Sequence, residues 1–379
     1  MSFSSKLSEV LLPKNGNFKF AHIQSRPIYV KSPIHLRKSV VKPDTVKIRH
    51  FFTLILDDLI LVGIEIFVYI QIYEDHVVRF IFVSKCDTTG LVKLEFRVGT
   101  VVEIFLQSVV EFDISRYMIR CKKKEKFEKG SIASTGAVTL IRKLQEKLAD
   151  KNYYKKLRYY NNNNRKSTLE NKKNLRLIPT TQNLRLCLFT RSAQEYLFPD
   201  SLKNKYKHLI NGQALLKWWI PIIDRVTKSW PIQRLIIPGS DKLATKRFIA
   251  DLPNWTQGHI FSEGLAVYSI PLFPDDPKGR FLEHLIVENR YNRVRTAQFY
   301  QELGFRQEFL SNNLVSMIGC SVDNHVVAAL DTEKAQDPSV VTVSRYKKII
   351  RSLKGIRFNI KSEVENASTV ILQEFLCEI

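Results

Sequence analysis

The chain is poor in the residues that build special-purpose scaffolds. Its 379 residues include five cysteines, Cys86, Cys121, Cys187, Cys320 and Cys377, and no CxxC pair. An odd set of scattered thiols makes no disulfide framework and points to reduced cysteines inside a cell. The eight histidines form neither HExxH nor a close pair at metal-ligand spacing, so no metal site is expected. No two of the fourteen glycines stand two residues apart, which excludes GxGxxG and GxxxxGK phosphate loops. A GxSxG nucleophile elbow is also missing. Long apolar runs are missing too: residues 51–73 are interrupted by Asp57, Asp58 and Glu65. Each acid would cost about 2.5–3.5 kcal/mol at a bilayer centre, so no membrane partner is expected. The opening MSFSSKLSEVLLP lacks the apolar core of a secretory signal.

Acidic residues are scarce as well, 37 against 59 Lys plus Arg, which leaves a formal charge of +22. Such a field attracts polyanions: nucleic acid, phosphate-bearing cofactors, anionic membrane or acidic proteins. The excess is concentrated. Residues 120–129 carry six basic and two acidic side chains, and residues 151–176 carry nine and one, so these segments hold twelve of the twenty-two charges. With an Asn run at its centre, the second segment cannot bury enough apolar surface to fold alone and is expected to be a mobile loop. Residues 345–361 add seven basic residues without an acid.

What is present is a core of 44% hydrophobic residues, ample for a large domain. FFTLIL, LILVGIEIFVYIQIY and VVRFIFV, from Phe51 to Val83, read as an antiparallel meander with turns at Asp57-Asp58 and at Glu74-Asp75-His76. VKLEFRV and, further on, LRLCLFT and LAVYSIPLF read as strands. Thr100 and Glu103 have capping-box spacing before a helix, and a second helix is expected over Gly136–Asp150. The helix that carries Trp218-Trp219 should kink or break near Ile220, because Pro221 removes a hydrogen bond. Asp276 and Pro277 have the grammar of an N-cap and first helical residue, and a long helix should run from there towards Leu303-Gly304. The segment AQFYQELGF (297–305) resembles the close of the common N-acetyltransferase superfamily, but that superfamily's Gly-rich pyrophosphate loop is absent, and an amphipathic core helix ending at Gly304 explains it.

Three blocks then stand out: HFFTLIL with FVSKCDTTG, LCLFTRSAQEYLFPDS with HLINGQALLKWW, and AVYSIPLFPDDPKGRF. Over residues 48–310 they resemble the fungal histone H3 lysine acetyltransferases that work with histone chaperones, relatives in fold of the metazoan coactivator acetyltransferases. The resemblance implies an α/β fold: a central mixed β-sheet flanked by helices, a single catalytic domain over 1–379 with a basic insertion at 120–178. It also implies acetyl-CoA as cofactor, histone H3-H4 as substrate, NAP-type and anti-silencing-function-type chaperones as partners, nuclear localisation, and a role in replication-coupled chromatin assembly and the DNA damage response.

Site roles follow from the same resemblance. Asp276 matches the proton acceptor and Asp275 its essential neighbour, although Asp-Asp-Pro at a helix start is otherwise a cap. Lys278 matches a lysine that is itself acetylated and buried; neutralising the charge makes burial far less costly. Asp87, which by itself would make an Asx turn, joins Cys86 and Thr88 near the cofactor, and Cys86 stands where alanine is expected. Phe189, Arg191, Ala193 and Tyr196 line the cofactor and lysine channels, with His208, Leu209 and Ile210 on the cofactor side. Trp218 and Trp219 should face different sides of their helix, Trp219 at the reacting centre and Trp218 with the cofactor. A substrate lysine near pKa 10.4 must lose a proton before attack, at about 4–5 kcal/mol at pH 7, which is the work a carboxylate would do. Direct amine attack is favoured over an acetyl-enzyme. The rival is a non-catalytic module that binds nucleic acid or a chaperone, since Tyr153, Tyr154, Tyr159 and Tyr160 interleave with basic residues. Histones being basic themselves, the charge is better matched to acidic chaperones and to CoA phosphates, and direct nucleic-acid binding is not expected to be primary.

Overall fold

The meander forms where the β-branched and aromatic runs place it. Strands β1 (Phe18–Ser25) and β2 (Ile28–Tyr29) precede β3 (Asp44–Leu56), β4 (Leu59–Ile72) and β5 (Val77–Thr88) in the computed structural model. It describes residues 3–11, 16–37, 42–114, 117, 181–306, 314–325 and 338–378. Asp57 (φ 46°) and Asp58 (φ 63°) both sit in the left-handed region, the two-residue turn that suits the right-handed twist of β3 and β4. Val98–Val110 is helix α2, preceded in the chain by α1 (Phe3–Val10). The later strands are β6 (Gln182–Thr190), β7 (Ile232–Ile236), β8 (Trp255–Gln257), β9 (Ser316–His325), β10 (Ser339–Val341) and β11 (Leu376–Glu378).

Together they make one mixed sheet of eleven strands in the order β10-β1-β3-β4-β5-β6-β9-β7-β8, with β11 on β1 and β2 on β3. The expected mixed sheet flanked by helices is therefore the fold. The β5–β6 pair is parallel, with Val77 opposite Gln182 and Val83 opposite Leu188. Parallel neighbours require a crossover, and α2 lies within it. On the face covered by α1 and α2, Phe3, Phe20, Phe52 and Phe105 pack ring against ring. Beside them His22 Nε2 lies 3.0 Å from His50 Nδ1, and the Tyr117 hydroxyl 2.8 Å from His50 Nε2. Fully buried Arg79 donates to the carbonyls of Val109 and Phe112. The Val77 amide donates to the Thr181 carbonyl at 3.2 Å. The opposite face carries Phe67, Tyr69, Phe80, Phe82 and Phe273.

The remaining helices are α3 (Gly212–Val226), α4 (Lys242–Lys246), α5 (Ala266–Ser269), α6 (Pro277–Val287), α7 (Thr296–Leu303), α8 (Val343–Leu353) and α9 (Lys361–Phe375). Four expectations are corrected here. Helix α3 runs through Pro221 without a break. VKLEFRV contributes no strand: both edges of β5 are taken by β4 and β6, and its apolar side chains pack elsewhere, Phe96 edge-on to Phe18 at 5.7 Å. LAVYSIPLF forms the short helix α5 in place of a strand, with Ala266, Val267 and Ile270 buried among Phe281, Leu285 and Phe299. A short apolar run fixes burial but not conformation. The single long helix from Pro277 is two, because Asn289 (φ 55°) ends α6 in the left-handed conformation before α7 begins. Helix α2 also starts at Val98, two residues before the Thr100 cap position, with Arg97 as an N-cap that makes no side-chain cap. The amphipathic reading of AQFYQELGF fits α7, capped at Gly304 with Phe299, Tyr300 and Leu303 buried. The helix expected at Gly136–Asp150, the basic segments at 120–129 and 151–176 and their tyrosines lie outside the described residues. No helix among the described residues is long and apolar enough to cross a membrane.

Candidate active site

Where β5 and β6 end side by side, the parallel pair diverges into a cleft of ≈ 1170 Å³. Cys86, Asp87 and Thr88 enter it from β5, and Phe189, Arg191, Ala193 and Tyr196 from β6 and the loop beyond. His208 and Ile210 line it from the approach to α3, and Trp218 and Trp219 from α3 itself. The two indoles stand edge to face at 4.8 Å. Both line the cleft, Trp219 being only 3% exposed. Leu209 is 60% exposed and is not among the lining residues. Asp275 closes one end of the cleft.

Asp87 is the organiser of this wall. One carboxylate oxygen accepts from the amides of Tyr196 (2.9 Å), Leu197 (2.9 Å) and Phe198 (3.4 Å). The other accepts from the Thr88 amide at 2.8 Å and from the Lys207 ammonium at 2.5 Å. With the Asp87 and Lys207 side chains only 9% and 4% exposed, this is a buried ion pair. The carboxylate is fully engaged, so its chemistry is to fix the Tyr196 loop. Tyr196 is locked further by its hydroxyl, which donates to the Arg191 carbonyl at 2.6 Å, and burial pushes the phenol pKa up. Burial and the neighbouring Asp87 charge push the Cys86 thiol up as well, far from the range of a nucleophilic thiolate.

Asp275 and Arg191 also line a second, more polar groove of ≈ 650 Å³ with Tyr69, Phe273, Asp276, Arg280 and Glu283. The two spaces thus share a wall at Asp275 and Arg191. Asp275 holds a left-handed backbone (φ 58°), and its carboxylate reaches Lys85 at 3.2 Å. That turn delivers Asp276 to the start of α6, where its side chain accepts from the Lys278 amide at 3.1 Å, the cap expected from sequence. The Lys278 ammonium turns back onto the same carboxylate, both side chains being buried. Lys278 also lines a small enclosed space of ≈ 30 Å³ walled by Phe82, Cys187, Phe273, His259 and Tyr300.

Sequence reasoning missed the cleft's cationic far side. Arg97, Lys217 and Arg225, the last paired with Glu103 at 2.6 Å, line it together with the first turn of α2, Val98, Gly99 and Thr100. Because α2 has no side-chain N-cap, its first amides are left for another acceptor, and a helix N-terminus beside cations suits a phosphate. The cleft therefore suits a phosphate-bearing acyl carrier: its lining combines cations, a helix N-terminus, apolar and aromatic walls and the Asp275 carboxylate. No cluster of three potential metal ligands occurs among the described residues.

The family model for the KAT11-type histone acetyltransferase domain matches residues 3–374. The chain is 48% identical over 355 residues to the histone acetyltransferase RTT109 of Candida albicans, covering 93% of this chain and 96% of that protein. It is 30% identical over 154 residues to the histone acetyltransferase rtt109 of Schizosaccharomyces pombe, covering 35% and 40%. The crystal structure of Rtt109 from Aspergillus fumigatus superposes with a TM-score of 0.70 at 21% identity, over 100% of this chain and 98% of that one, a likeness of fold. The family implies acetyl-CoA as donor, the group whose shape and charge the cleft fits, and it sets aside the non-catalytic rival. By sequence, over nearly its whole length, the chain belongs to the KAT11-type histone acetyltransferases and is a protein lysine acetyltransferase.

Proposed function

We propose that the chain acetylates histone H3, presented with H4, in the nucleus, with stimulation by acidic histone chaperones of the NAP and anti-silencing-function types, in replication-coupled chromatin assembly and the DNA damage response. The observation that carries the reading is the shared wall: Asp275 and Arg191 stand between a cleft suited to a CoA thioester and a polar groove suited to a peptide. The acetyl donor supplies an activated thioester carbonyl to that junction. Trp219 and Tyr196 shape the passage for the incoming lysine, and Trp218, Phe189, Ala193, Thr88, Cys86, His208 and Ile210 wall the donor. Leu209 flanks the cleft without lining it. Asp87 serves as a positioning residue for Tyr196.

The substrate amine must reach Asp275 and Asp276 as a cation and attack as a neutral amine. Asp276 meets this need once Lys278 is acetylated. As an ammonium, Lys278 occupies the carboxylate; as an amide it releases the carboxylate to accept a proton, and the acetyl tip turns into the aromatic space beside Cys187 and Tyr300. A catalytic domain over 1–379 with its basic insertion at 120–178 would then separate chemistry from docking, with the insertion meeting the acidic chaperone. Site-resolved mass spectrometry of H3-H4 acetylation, with and without a chaperone, tests the reading. Asp276→Asn should fold and lose transfer, and active enzyme should carry acetyl on Lys278. Full transfer by Asp276→Asn, or active enzyme with only unmodified Lys278, would refute these roles.

A further inference from the structure

One buried carboxylate takes no part in this chemistry. Glu65 lies on β4, 5% exposed, and accepts a 3.0 Å hydrogen bond from the Tyr346 hydroxyl on α8, itself 2% exposed. A carboxylate is rarely left in a sheet interior without a cation to answer it. Its cross-strand partner is Lys85 on β5, beside a bulge in the ladder at Glu65 and Ile66. Burial pushes the Glu65 carboxyl up, and Lys85 is the strongest of the charges that pull it back down, ahead of Lys47. Lys47 has another seat, with its ammonium over the rings of Phe67 (4.2 Å) and Tyr69 (4.7 Å).

Lys85 reaches the other way as well. Its side chain is 16% exposed and its ammonium meets Asp275 at 3.2 Å, at the wall between the donor cleft and the groove. Asp275 is 69% exposed and stands on a left-handed backbone, so nothing in its own turn fixes where its carboxylate points. A hydrogen bond thus joins Tyr346 to Glu65, the strand register sets Glu65 opposite Lys85, and an ion pair joins Lys85 to Asp275 at the junction. We propose that Lys85 is a positioning residue for acetyl transfer: with Glu65 and Tyr346 behind it, its ammonium holds the Asp275 carboxylate where the substrate amine arrives. This rests on the reading that Asp275 faces that amine.

Steady-state kinetics on H3-H4 with acetyl-CoA tests it. Charge-assisted hydrogen bonds set the scale, so Lys85→Met should lower kcat by at least about tenfold while the acetyl-CoA KM moves less than about twofold. Lys85→Arg should recover most of the rate, and Glu65→Gln and Tyr346→Phe should each lose about threefold, also in kcat. Lys85→Met added to Asp275→Asn should cost little more than Asp275→Asn alone, because both act through one carboxylate. Wild-type kcat in Lys85→Met with Asp275→Asn impaired would overturn the proposal, as would losses that multiply in the double variant. Full kcat in Asp275→Asn would overturn the reading of Asp275 itself. If Lys85→Met does not fold, Lys85→Gln is measured in its place against the same outcomes.

Discussion

Asp87 separates a reacting group from an organising one, and the two roles predict different losses. The perturbation is Asp87→Ala. It removes the acceptor for four backbone amides and strands the Lys207 ammonium, whose side chain is 4% exposed. Breaking one side of a buried ion pair costs about 3–5 kcal/mol, and each buried amide left without an acceptor adds roughly 1 kcal/mol or more. Against a native stability of about 5–15 kcal/mol, the variant should be severely destabilised. Asp87→Asn keeps the shape and one acceptor oxygen and should lose less. The decisive comparison is Asp87→Asn with Lys207→Met, which removes the stranded cation and should be more stable than Asp87→Ala by about 2 kcal/mol or more. Urea unfolding gives the stabilities, and the acetyl-transfer rate per folded molecule gives the chemistry. Wild-type stability in Asp87→Ala with transfer abolished would refute the organising role and make Asp87 a reacting group.

Two further outcomes follow from buried titratable groups. Cys86→Ser should keep turnover within about twofold, since burial and Asp87 hold the thiol protonated; a loss beyond about a hundredfold with trapped acetyl-enzyme would refute direct attack. Burial holds His22 at a pKa of about 3 and His50 well below its usual value, so both are neutral in the folded chain. The unfolded chain takes up these protons near pH 6.5, so stability is lost as pH falls below 6.5 and, for His22, down to about 3. Each histidine contributes a slope of about 1.4 kcal/mol per pH unit, measurable as a falling urea midpoint between pH 7 and pH 5. A flat midpoint over that range would refute the assignment, and His22→Phe should make the slope shallower.

The elements legible from sequence are those whose signal is local. Asp57-Asp58 marks its own turn, and Asp276-Pro277 marks its own helix start. Less legible were segments whose conformation depends on what lies beside them. LAVYSIPLF is apolar on every side and is a helix only because α6 and α7 pack over it. VKLEFRV alternates like a strand, but the strand it follows, β5, is already paired on both sides. At the site, motif matching gathered the residues of the cleft, yet it assigned Asp87 a role from position alone. The amides that define that role lie 109 to 111 residues away in the chain. Glu65 stood in no matching block and Lys85 stood in one without a role, because a β4–β5 register is needed to set them opposite each other.

Both ends of the stretch that follows α2 are moored to the start of β5. The Phe112 carbonyl is gripped by Arg79, and the Thr181 carbonyl by the Val77 amide two residues earlier on the same strand. The crossover that the parallel β5–β6 pair requires already contains α2. The strand that carries Cys86, Asp87 and Thr88 into the cleft thus also holds, at its other end, both the chain leaving α2 and the chain entering β6.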